Sequence, residues 1–365
     1  MRVVTILGTR PEIIRLSLII KKLDALAEKH VLVHTGQNFS PSLSDIFFDE
    51  LGLRKPDRVL TEGRQTLGGQ LSAMFGEIEA ILTAHRPDVV LLLGDTNSAL
   101  CAIIAERMGI PVVHMEAGNR CYDLSVPEEK NRRIIDAVST INMPYTSYSK
   151  SNLLREGFPA NRIVQTGNPI HEVITHYMPQ IEASDILTRL GLAEGRYMLV
   201  TAHRAENVDN PERLRGILEG LNRVAQRFDM RIVCSVHPRT RSRIEGGSVQ
   251  VEADSRVEFY EPFGFFDFVR LERHAACAIT DSGTVQEECC IFGVPTVTIR
   301  QTTERPETVD CGSNVVCGLK PERIEEAVAV MTRLPAKWSC PDGYMADDVS
   351  VKVVKYVLGG KWDVY

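Results

Sequence analysis

Residues 279–307 read ITDSGTVQEECCIFGVPTVTIRQTTERPE, and this stretch decides the fold class. An apolar, strand-like run at 276–280 stops at the turn 281–283, and a helical pattern follows at 285–292. The residues at 293–295, Gly-Val-Pro, then introduce another strand pattern. This order of strand, tight turn, helix and strand predicts a βαβ unit of a parallel sheet.

The turn of this unit is suited to a diphosphate ligand. Gly283 lets the backbone approach a ligand closely, and the N–H groups that open the following helix point toward the same place. Glu287 and Glu288, in the first turns of that helix, could accept hydrogen bonds from sugar hydroxyls. These features together suggest a nucleotide sugar, although an ordinary βα turn with a solvated glutamate pair explains them equally well.

Length and composition set the broad class. The chain has 365 residues, about twice the usual domain length, so we expect two domains around separate cores. A net charge of -6 argues against a general nucleic-acid or acidic-membrane surface. The N-terminal apolar run is too short for a signal peptide, and no stretch approaches the roughly 20 apolar residues of a membrane span. The nine cysteines are odd in number and lack metal spacing, which favours free thiols in a reducing cytoplasm.

The chain alternates strand and helix patterns in two series. The first series runs from a strand at 2–7 to about residue 168, and the second starts near residue 197 after a polar helical stretch. We therefore expect a first domain over 1–168 and a second from 169 onward. The final helix pattern, at about 347–358, has three apolar residues on one stripe: Val351, Val354 and Leu358.

Arg10 is a candidate ligand-binding residue. The first strand pattern ends in Gly8-Thr9-Arg10-Pro11-Glu12, and Pro11 fits a first helical turn because its missing N–H costs nothing there. Arg10 would then stand at the carboxyl end of a strand, where open parallel sheets bind ligands. The alternative is an arginine at a helix start that merely meets solvent.

Three acidic residues are expected to converge at the carboxyl edge of the first sheet. The strand at 88–94 ends in Asp95 and the next strand, at 111–115, ends in Glu116. Parallel strands joined by one crossover helix are usually neighbours about 5 Å apart, and Glu128 opens a helix shortly downstream. Clustered carboxylates raise one another's proton affinity, which suits proton transfer. Taken singly, Asp95 could instead be a helix N-cap and Glu128 a first-turn acid stabilised by the helix dipole.

The second half places polar residues at strand ends in the same way. The strand at 197–201 is followed by His203, and the strand at 231–236 by His237. If the strand ends of the two sheets face one another across a cleft, one domain could hold a nucleotide while the other acts on its sugar. The aromatic stretch at 263–266 could line a base pocket, but such rings more often belong to a core.

Eight ordered motifs, spread over nearly the whole chain, resemble those of the non-hydrolysing UDP-N-acetylglucosamine 2-epimerase family: GTRPE, GDTNS, EAGNR, VPEEKNR, AHRAEN, VHPR, DSGTVQEE and TTERPE. The resemblance implies two Rossmann-like domains of the glycosyltransferase-B type, with the C-terminal helix at 347–365 returning to the first domain and 169–346 forming the second. Carried over position by position, the family's catalytic residues fall on Asp95, Glu116, Glu128 and His203. Its UDP-binding residues fall on Arg10, His237, Ser282, Gly283 and Glu288.

The resemblance also implies a reaction, the inversion of C2 in a UDP-N-acetylhexosamine without a metal or redox cofactor. The C2 hydrogen is not acidic, so loss of UDP from C1 together with the C2 proton, followed by readdition, avoids direct proton exchange. This path needs cations and N–H groups on the diphosphate and acid and base groups on both sides of the sugar. The sequence leaves open which carboxylate is the base. The resemblance further implies a homodimer and a product used in a surface polysaccharide such as O-antigen or capsule.

Departures from the common pattern of the family concern the substrate. Residues 37 and 38 are Gln-Asn, where many members of the family have Gln-His. Residue 284 is threonine, where many members have a second glycine. The stretch EAGNRCYDLSVPEEKNR, at 116–132, most closely resembles the branch that converts UDP-2-acetamido-2,6-dideoxy-L-talose to UDP-N-acetyl-L-fucosamine. We therefore favour that substrate over UDP-N-acetylglucosamine. A glycosyltransferase on the same fold, or a non-catalytic nucleotide-sugar sensor, would leave the three acids without a role.

Overall fold

The computed structural model describes residues 1–36, 41–60, 66–236, 240, 243 and 251–360, and the chain divides into two compact units. Unit 1 comprises Met1–His176 and Asp342–Tyr365, and unit 2 comprises Tyr177–Pro341. The boundary expected after residue 168 precedes one further helix of unit 1, Pro169–His176, because that helix packs on the first helix of the chain through Ile170, Val173 and Ile174.

Unit 1 is built on a parallel sheet of six strands: β1 (Arg2–Leu7), β2 (Lys29–His34), β3 (Arg58–Val59), β4 (Val89–Leu93), β5 (Val112–Met115) and β6 (Ile141–Met143). Their order in the sheet is β3-β2-β1-β4-β5-β6. Every residue of β4 is buried, as expected of a central strand covered by helices on both faces. Beyond β6, Ile163 adds one isolated parallel β-bridge to Asn142.

The helices of unit 1 alternate with these strands: α1 (Arg10–Leu26), α2 (Pro41–Glu50), α3 (Leu67–His85), α4 (Ala102–Arg107), α5 (Pro127–Val138), α6 (Ser147–Arg155) and α7 (Pro169–His176), with α16 (Val349–Gly359) from the end of the chain. Short 3-10 helices span Asn97–Cys101 and Ala160–Arg162. None of the helices in the described ranges is long and apolar enough to cross a membrane.

Unit 2 repeats the architecture with β7 (Tyr197–Thr201), β8 (Arg231–Ser235), β9 (Val257–Tyr260), β10 (Cys277–Thr280), β11 (Thr296–Thr298) and β12 (Asn314–Val316). The strand order is β12-β11-β10-β7-β8-β9, again parallel throughout. Its helices are α8 (Met178–Ala183), α9 (Ile186–Arg189), α10 (Ala205–Val208), α11 (Pro211–Phe228), α12 (Phe265–His274), α13 (Gly283–Phe292), α14 (Pro306–Asp310) and α15 (Pro321–Arg333).

The two sheets share one winding pattern. In unit 1 the chain winds outward from β1 in one direction and from β4 in the other, and in unit 2 it does so from β7 and β10. Such a reversal leaves a crevice above the carboxyl ends of the two central strands, and open α/β sheets bind ligands there. The fold therefore marks one such position in each unit.

The aromatic stretch at 263–266 contributes to the core of unit 2. Phe265 is buried, and its ring centroid lies 6.4 Å from that of Tyr177 and 5.8 Å from that of Phe266. The core interpretation of these rings is therefore confirmed for Phe265.

Candidate active site

The winding direction of each sheet reverses between its two central strands, and we call the carboxyl edge of those strands the switch position. In unit 1 the switch position is formed by the loops that follow β1 and β4. Arg10 opens α1 directly after the β1 loop, and its guanidinium lies 5.8 Å from the centroid of the Phe47 ring. Burial lowers the pKa of Arg10 from its usual value. Asp95 follows β4, two residues beyond Leu93. Arg10 and Asp95 therefore both stand at the carboxyl edge of the central strands β1 and β4, as the sequence predicted.

Glu12 joins these two loops, a role that the sequence reasoning missed. Its carboxylate accepts hydrogen bonds from the N–H groups of Gly8 (2.5 Å) and Thr9 (3.1 Å) and from the Thr96 hydroxyl (2.7 Å). Burial raises the pKa of Glu12 to about 7, against the lowering effect of the Thr96 hydroxyl and the two N–H groups. A threonine followed three residues later by glutamate is a capping-box pattern, which was the available signal in the sequence.

Asp95 is oriented by an arginine on α5. Its Oδ2 accepts from Nε of Arg132 at 2.8 Å and lies 2.8 Å from Nη2 of the same ion pair. Its backbone carbonyl accepts from Asn131 Nδ2 at 2.9 Å. The N-cap interpretation of Asp95 is wrong, because Thr96 occupies the N-cap position of the 3-10 helix that follows. Asp95 is therefore a partly exposed carboxylate held by a buried cation.

The two adjacent glutamates at the start of α5 have different surroundings. Glu129 is buried and accepts from Arg132 Nη1 (3.0 Å) and from the N–H of Cys121 (2.9 Å). Burial tends to raise the pKa of Glu129, but the Cys121 N–H and the two neighbouring arginines outweigh it, so the pKa is lowered. Glu128 is partly exposed in the first helical turn. Glu129 thus holds Arg132, and Glu128 is the member of the pair with access to a ligand.

Glu116 follows β5, the neighbour of β4, and is partly exposed. Its backbone is left-handed, with a φ of 65°, a conformation that costs free energy in a residue with a side chain. Its N–H donates to Met143 O at 3.1 Å. Asp95 and Glu116 therefore follow neighbouring strands, as the single crossover between β4 and β5 predicted, and Glu128 opens the helix that comes next in the chain.

A fully buried polar network lies beneath this edge. His114 places Nδ1 2.9 Å from Asp136 Oδ1 and Nε2 2.8 Å from the carbonyl oxygen of Gly94. Both partners are acceptors, so both ring nitrogens must carry protons and the ring is an imidazolium. The second oxygen of Asp136 accepts from Arg120 Nη1 (2.7 Å) and from the Gly118 N–H (3.1 Å). The network therefore connects the loop that carries Asp95 to the loop that carries Glu116.

The switch position of unit 2 is organised by Asp281, which the sequence reasoning did not single out. This carboxylate is fully buried after β10 and accepts from the N–H groups of His203 (3.1 Å) and Arg204 (3.0 Å) and from Asn207 Nδ2 (3.1 Å). It thereby fastens the loop after β7 to the loop after β10. The position of an aspartate directly after a central strand was the signal in the sequence.

His203 stands on that fastened loop with 46% of its side chain exposed and Nδ1 3.4 Å from Asp281 Oδ1. The carboxylate orients the ring while leaving it open to a ligand.

The Ser282-Gly283 turn is compact. The Ser282 N–H donates to Thr280 Oγ1 at 2.9 Å, and its hydroxyl lies 3.0 Å from that of Thr284. A Cβ added to Gly283 would lie 2.6 Å from Glu304 Oε1. Glu304 is itself fixed, because it is buried and pairs with Arg300 at 2.7 Å. A side chain at position 283 would therefore collide with Glu304, whereas glycine leaves the backbone of the turn accessible to a ligand.

Glu287 and Glu288 do not share the role considered for them from the sequence. Glu287 is buried in an ion pair with Arg305, so its acceptors are used inside the protein. Glu288 lies on the same helix and is 7% exposed. The structure therefore leaves Glu288 as the sugar-binding candidate of the two.

His237 lies outside the described residues, as do Gln37 and Asn38. Within the ranges that the structure covers, no group of three or more His, Cys, Asp or Glu side chains is arranged to hold a metal ion.

The fold and the two switch positions define an α/β enzyme with two Rossmann-like domains of the glycosyltransferase-B type, which confirms the fold class. A family model described as UDP-N-acetylglucosamine 2-epimerase matches residues 21–358. A UDP-N-acetylglucosamine 2-epimerase of Methanocaldococcus jannaschii is 40% identical, with 94% of this chain and 95% of that one aligned. The chain therefore belongs to the UDP-N-acetylglucosamine 2-epimerase family, and it is an isomerase.

Two further similarities concern structure and substrate. The crystal structure of the Methanocaldococcus jannaschii UDP-GlcNAc 2-epimerase in complex with UDP-GlcNAc and UDP has a TM-score of 0.93 and 39% identity, covering 99% of this chain and 100% of that one. A UDP-2,3-diacetamido-2,3-dideoxy-D-glucuronate 2-epimerase of Pseudomonas aeruginosa is 37% identical, covering 90% of this chain and 91% of that one. Named members of the family thus act on different UDP-acetamido sugars.

Proposed function

We propose that the protein inverts C2 of a UDP-2-acetamido sugar by eliminating UDP and adding it back across the resulting glycal. The observation that carries this proposal is the Asp95 carboxylate, which is partly exposed, oriented by Arg132 and accompanied by Glu116 and Glu128 at one sheet edge. A glycosyltransferase needs no group that takes a proton from C2, whereas an epimerase needs proton transfer on both sides of that carbon.

In this proposal the two units have different chemical roles. In unit 2, the bare backbone at Gly283 and the N–H groups that open α13 stabilise the diphosphate as it leaves, and Glu288 accepts hydrogen bonds from the nucleotide sugar. Arg10 is the cation proposed for binding UDP. In unit 1, two of the three acids remove and return the C2 proton. Each such transfer contributes a factor of about 100 to 10,000 to the rate.

Two substrates are supported by different observations. UDP-N-acetylglucosamine is supported by the name of the family and by the sugar nucleotide bound in the similar crystal structure. UDP-2-acetamido-2,6-dideoxy-L-talose is supported by the residues at 116–132, which include two of the three acids and carry the resemblance to that branch. A 6-deoxy sugar has no hydroxyl at C6, so its pocket needs one polar partner fewer.

Incubation with a UDP-sugar in deuterated water tests the reaction. The expected result is deuterium at C2 of both epimers in the absence of any acceptor, detected by loss of the C2 proton signal in NMR. Transfer of the sugar only when an acceptor is added would show a glycosyltransferase instead. Binding without exchange on any candidate substrate would show a sensor.

The same exchange assay, run on the two candidate substrates in parallel, tests the specificity. We expect kcat/KM for the true substrate to exceed that for the other by more than tenfold, because an unmatched hydroxyl or a missing one leaves a buried polar group unpaired. Comparable rates would mean that the residues at 116–132 do not select at C6.

A homodimer in solution, a cytoplasmic location and a product destined for a surface polysaccharide complete the proposal. Sedimentation of the purified protein tests the first of these, and a mass of one chain at micromolar concentration would exclude it.

A further inference from the structure

Gln286 is a buried amide on α13 that the mechanism above does not use. It lies at the end of the first turn of the helix that opens at Gly283, and it is 0% exposed. Burying an amide is costly unless its donor and acceptor groups are used. The hydrogen-bond partners of Gln286 therefore show what this side chain holds in place.

On one side, Gln286 holds the turn that precedes the helix. Its Nε2 donates to the carbonyl oxygen of Ser282 at 3.1 Å. The Ser282 N–H donates to Thr280 Oγ1 at 2.9 Å. Both backbone groups of Ser282 are thus bonded to side chains inside unit 2.

On the other side, Gln286 contacts two segments that come later in the chain. Its Oε1 accepts from the Thr303 hydroxyl at 2.7 Å and from Asn314 Nδ2 at 3.1 Å. Thr303 belongs to the TTERPE motif, and Asn314 is the first residue of β12. Gln286 therefore connects the turn after β10 to the loop after β11 and to β12.

Two backbone carbonyls fix which end of the amide is the donor. A carbonyl oxygen only accepts, so the atom of Gln286 beside Ser282 O is the nitrogen. The carbonyl oxygen of Arg305 takes the one proton of the Thr308 hydroxyl, at 2.7 Å. That hydroxyl must then accept from Asn314, at 3.1 Å, which makes the same Asn314 nitrogen the donor to Gln286 Oε1. Both carbonyls give the same orientation.

The hydrogen bond to Ser282 O sets the direction of the Gly283 N–H. The peptide between these residues is planar and trans, so its C=O and N–H point in opposite directions. Because the carbonyl is directed along the helix toward Gln286, the N–H is directed out of the helix N-terminus. The Ser282 side chain does not cap this end of the helix. The Gly283 N–H is therefore presented to a ligand.

We propose that Gln286 is a positioning residue, which holds the Ser282 carbonyl so that the Gly283 N–H is aimed at the diphosphate. Thr303 and Asn314 in turn hold Gln286. The inference rests on the proposed function, because it takes the Gly283 N–H as a donor to the diphosphate. N–H groups that are already oriented stabilise a leaving anion without reorganisation at the moment of reaction. Loss of Gln286 should therefore weaken UDP binding and slow the elimination of UDP.

Calorimetric titration of full-length variants with UDP tests the proposal. Gln286→Met keeps the length of the side chain but removes its donor and acceptor, and should weaken UDP binding about tenfold, the effect of one lost hydrogen bond. The matched control is Gln226→Met, the same change at an exposed position of α11. The control should bind UDP within about twofold of the wild type.

NMR observes the peptide in question directly. Ser-Gly occurs once in the sequence, so labelling the serine carbonyl carbon and the glycine nitrogen selects one signal, from Ser282 and Gly283. In the wild type, UDP should move the Gly283 proton downfield, because the N–H gains a hydrogen bond to an anion. In Gln286→Met, the Ser282 carbonyl signal should move upfield before UDP is added, and the UDP-induced shift should be smaller. A merely structural role would lower the melting temperature and leave the UDP-induced shift unchanged.

A second position makes the test independent of the folding of Gln286→Met. Thr303→Val removes a donor to Gln286 and should weaken UDP binding about fivefold, since Asn314 still holds the amide. Thr303→Ser keeps the hydroxyl and should bind UDP within about twofold of the wild type.

The outcomes separate this inference from the proposed function. If UDP does not move the Gly283 signal of the wild type, the diphosphate does not meet that N–H and the site assignment itself fails. If the wild-type signal moves, the positioning role is overturned when Gln286→Met matches the wild type in affinity and shift. Thr303→Val decides in the same way if Gln286→Met does not fold.

Discussion

Asp95 and Asp281 follow equivalent strands of the two sheets, yet their surroundings give them opposite roles. Asp95 is partly exposed and has one arginine as its side-chain partner. Asp281 is fully buried, and its oxygens are occupied by N–H groups of the neighbouring loop. A carboxylate with solvent access can meet a substrate, whereas one whose acceptors are already used can only hold a loop in place. The residue type was evident from the sequence, and the role was decided by its surroundings.

Asp95→Asn tests the catalytic assignment. The amide keeps the size of the side chain but cannot take or give a proton, so C2 exchange should fall by about 100- to 10,000-fold. The control is Asp88→Asn, at the other end of β4, where the carboxylate accepts from the Arg2 N–H at 2.7 Å. Exchange in the control should stay within about twofold of the wild type. Near-normal exchange in both Asp95→Asn and Glu128→Gln would refute the assignment.

At the scale of an element, the turn between β1 and α1 depends on a bare backbone. A Cβ at Gly8 would lie 2.1 Å from Ser98 Oγ and 2.2 Å from Thr35 Oγ1, and those two hydroxyls are 2.6 Å apart in a buried hydrogen bond. No side chain fits unless this pair separates. The close packing of the turn also explains why Glu12 can bridge from it to Thr96.

Gly8→Ala should lower the free energy of unfolding by about 1 to 3 kcal/mol, the usual cost of overpacking. The matched control is Gly76→Ala in the middle of α3, where an added Cβ meets nothing within 4 Å. That change should stabilise the protein by about 0.5 to 1 kcal/mol, because alanine favours a helix over glycine. Urea unfolding of both variants provides the measurement, and equal stabilities would contradict the packing argument.

The buried network around Asp136 is the second feature at this scale. Burial lowers the pKa of His114, but the hydrogen bond and charge of Asp136 outweigh it, and the net pKa is raised. Because the folded-state pKa is raised, this contribution to stability is complete below the ordinary histidine pKa and is lost as pH rises through the folded value. Asp136 has a lowered pKa, so its own contribution is lost only in acid, as pH falls through that lowered value.

Asp136→Asn should therefore cost about 3 to 5 kcal/mol of unfolding free energy at neutral pH, since it leaves the buried His114 cation without its anion and removes one of the two carboxylates that Arg120 contacts. The comparison is Asp185→Asn, whose carboxylate is 71% exposed in a pair with Arg189, and which should change stability by no more than about 0.5 kcal/mol. Denaturant titrations at neutral pH measure both. A cost below about 1 kcal/mol for Asp136→Asn would mean that His114 is not an imidazolium.

For the whole molecule, unit 1 is completed by the end of the chain. Helix α16 packs on α1 and α7 through Val349, Val353, Val354 and Val357, and the Ser350 N–H donates to Glu172 Oε2 at 2.7 Å. The apolar stripe expected at Val351, Val354 and Leu358 is wrong in part, because Val351 is 36% exposed. The helix is apolar on more than one side, so periodicity alone could not select its buried face.

Val353→Asp places a charge against α1 and α7 and should prevent stable folding of unit 1, with loss of its cooperative thermal transition. Val351→Asp, two residues away on the same helix, should leave the transition within a few degrees of the wild type. Differential scanning calorimetry distinguishes the two. Similar behaviour of both variants would show that α16 is not required by unit 1.

Much of the fold follows from local pattern. The bounds of β1 and β7 agree with the sequence pattern to the residue, because burial of a strand face repeats along the chain at its own spacing. The polar residues at the strand ends were also identifiable, since a parallel sheet brings all carboxyl ends to one edge. Helix α12 and the two-residue strand β3 were missed, the first because it reads as an aromatic cluster and the second because two residues carry no period.

The sequence by itself determined two parallel-sheet domains, the family, the identity of Asp95, Glu116, Ser282 and Gly283 as residues that follow strands, and that of Glu128 as a residue that opens a helix. Each of these rests on local order along the chain. Only the tertiary structure decided that Glu287 is used by Arg305 and that Asp281 fastens two loops. Those pairings join residues on separate elements. Which carboxylate remains available for a ligand depends on three-dimensional neighbours that no periodicity encodes.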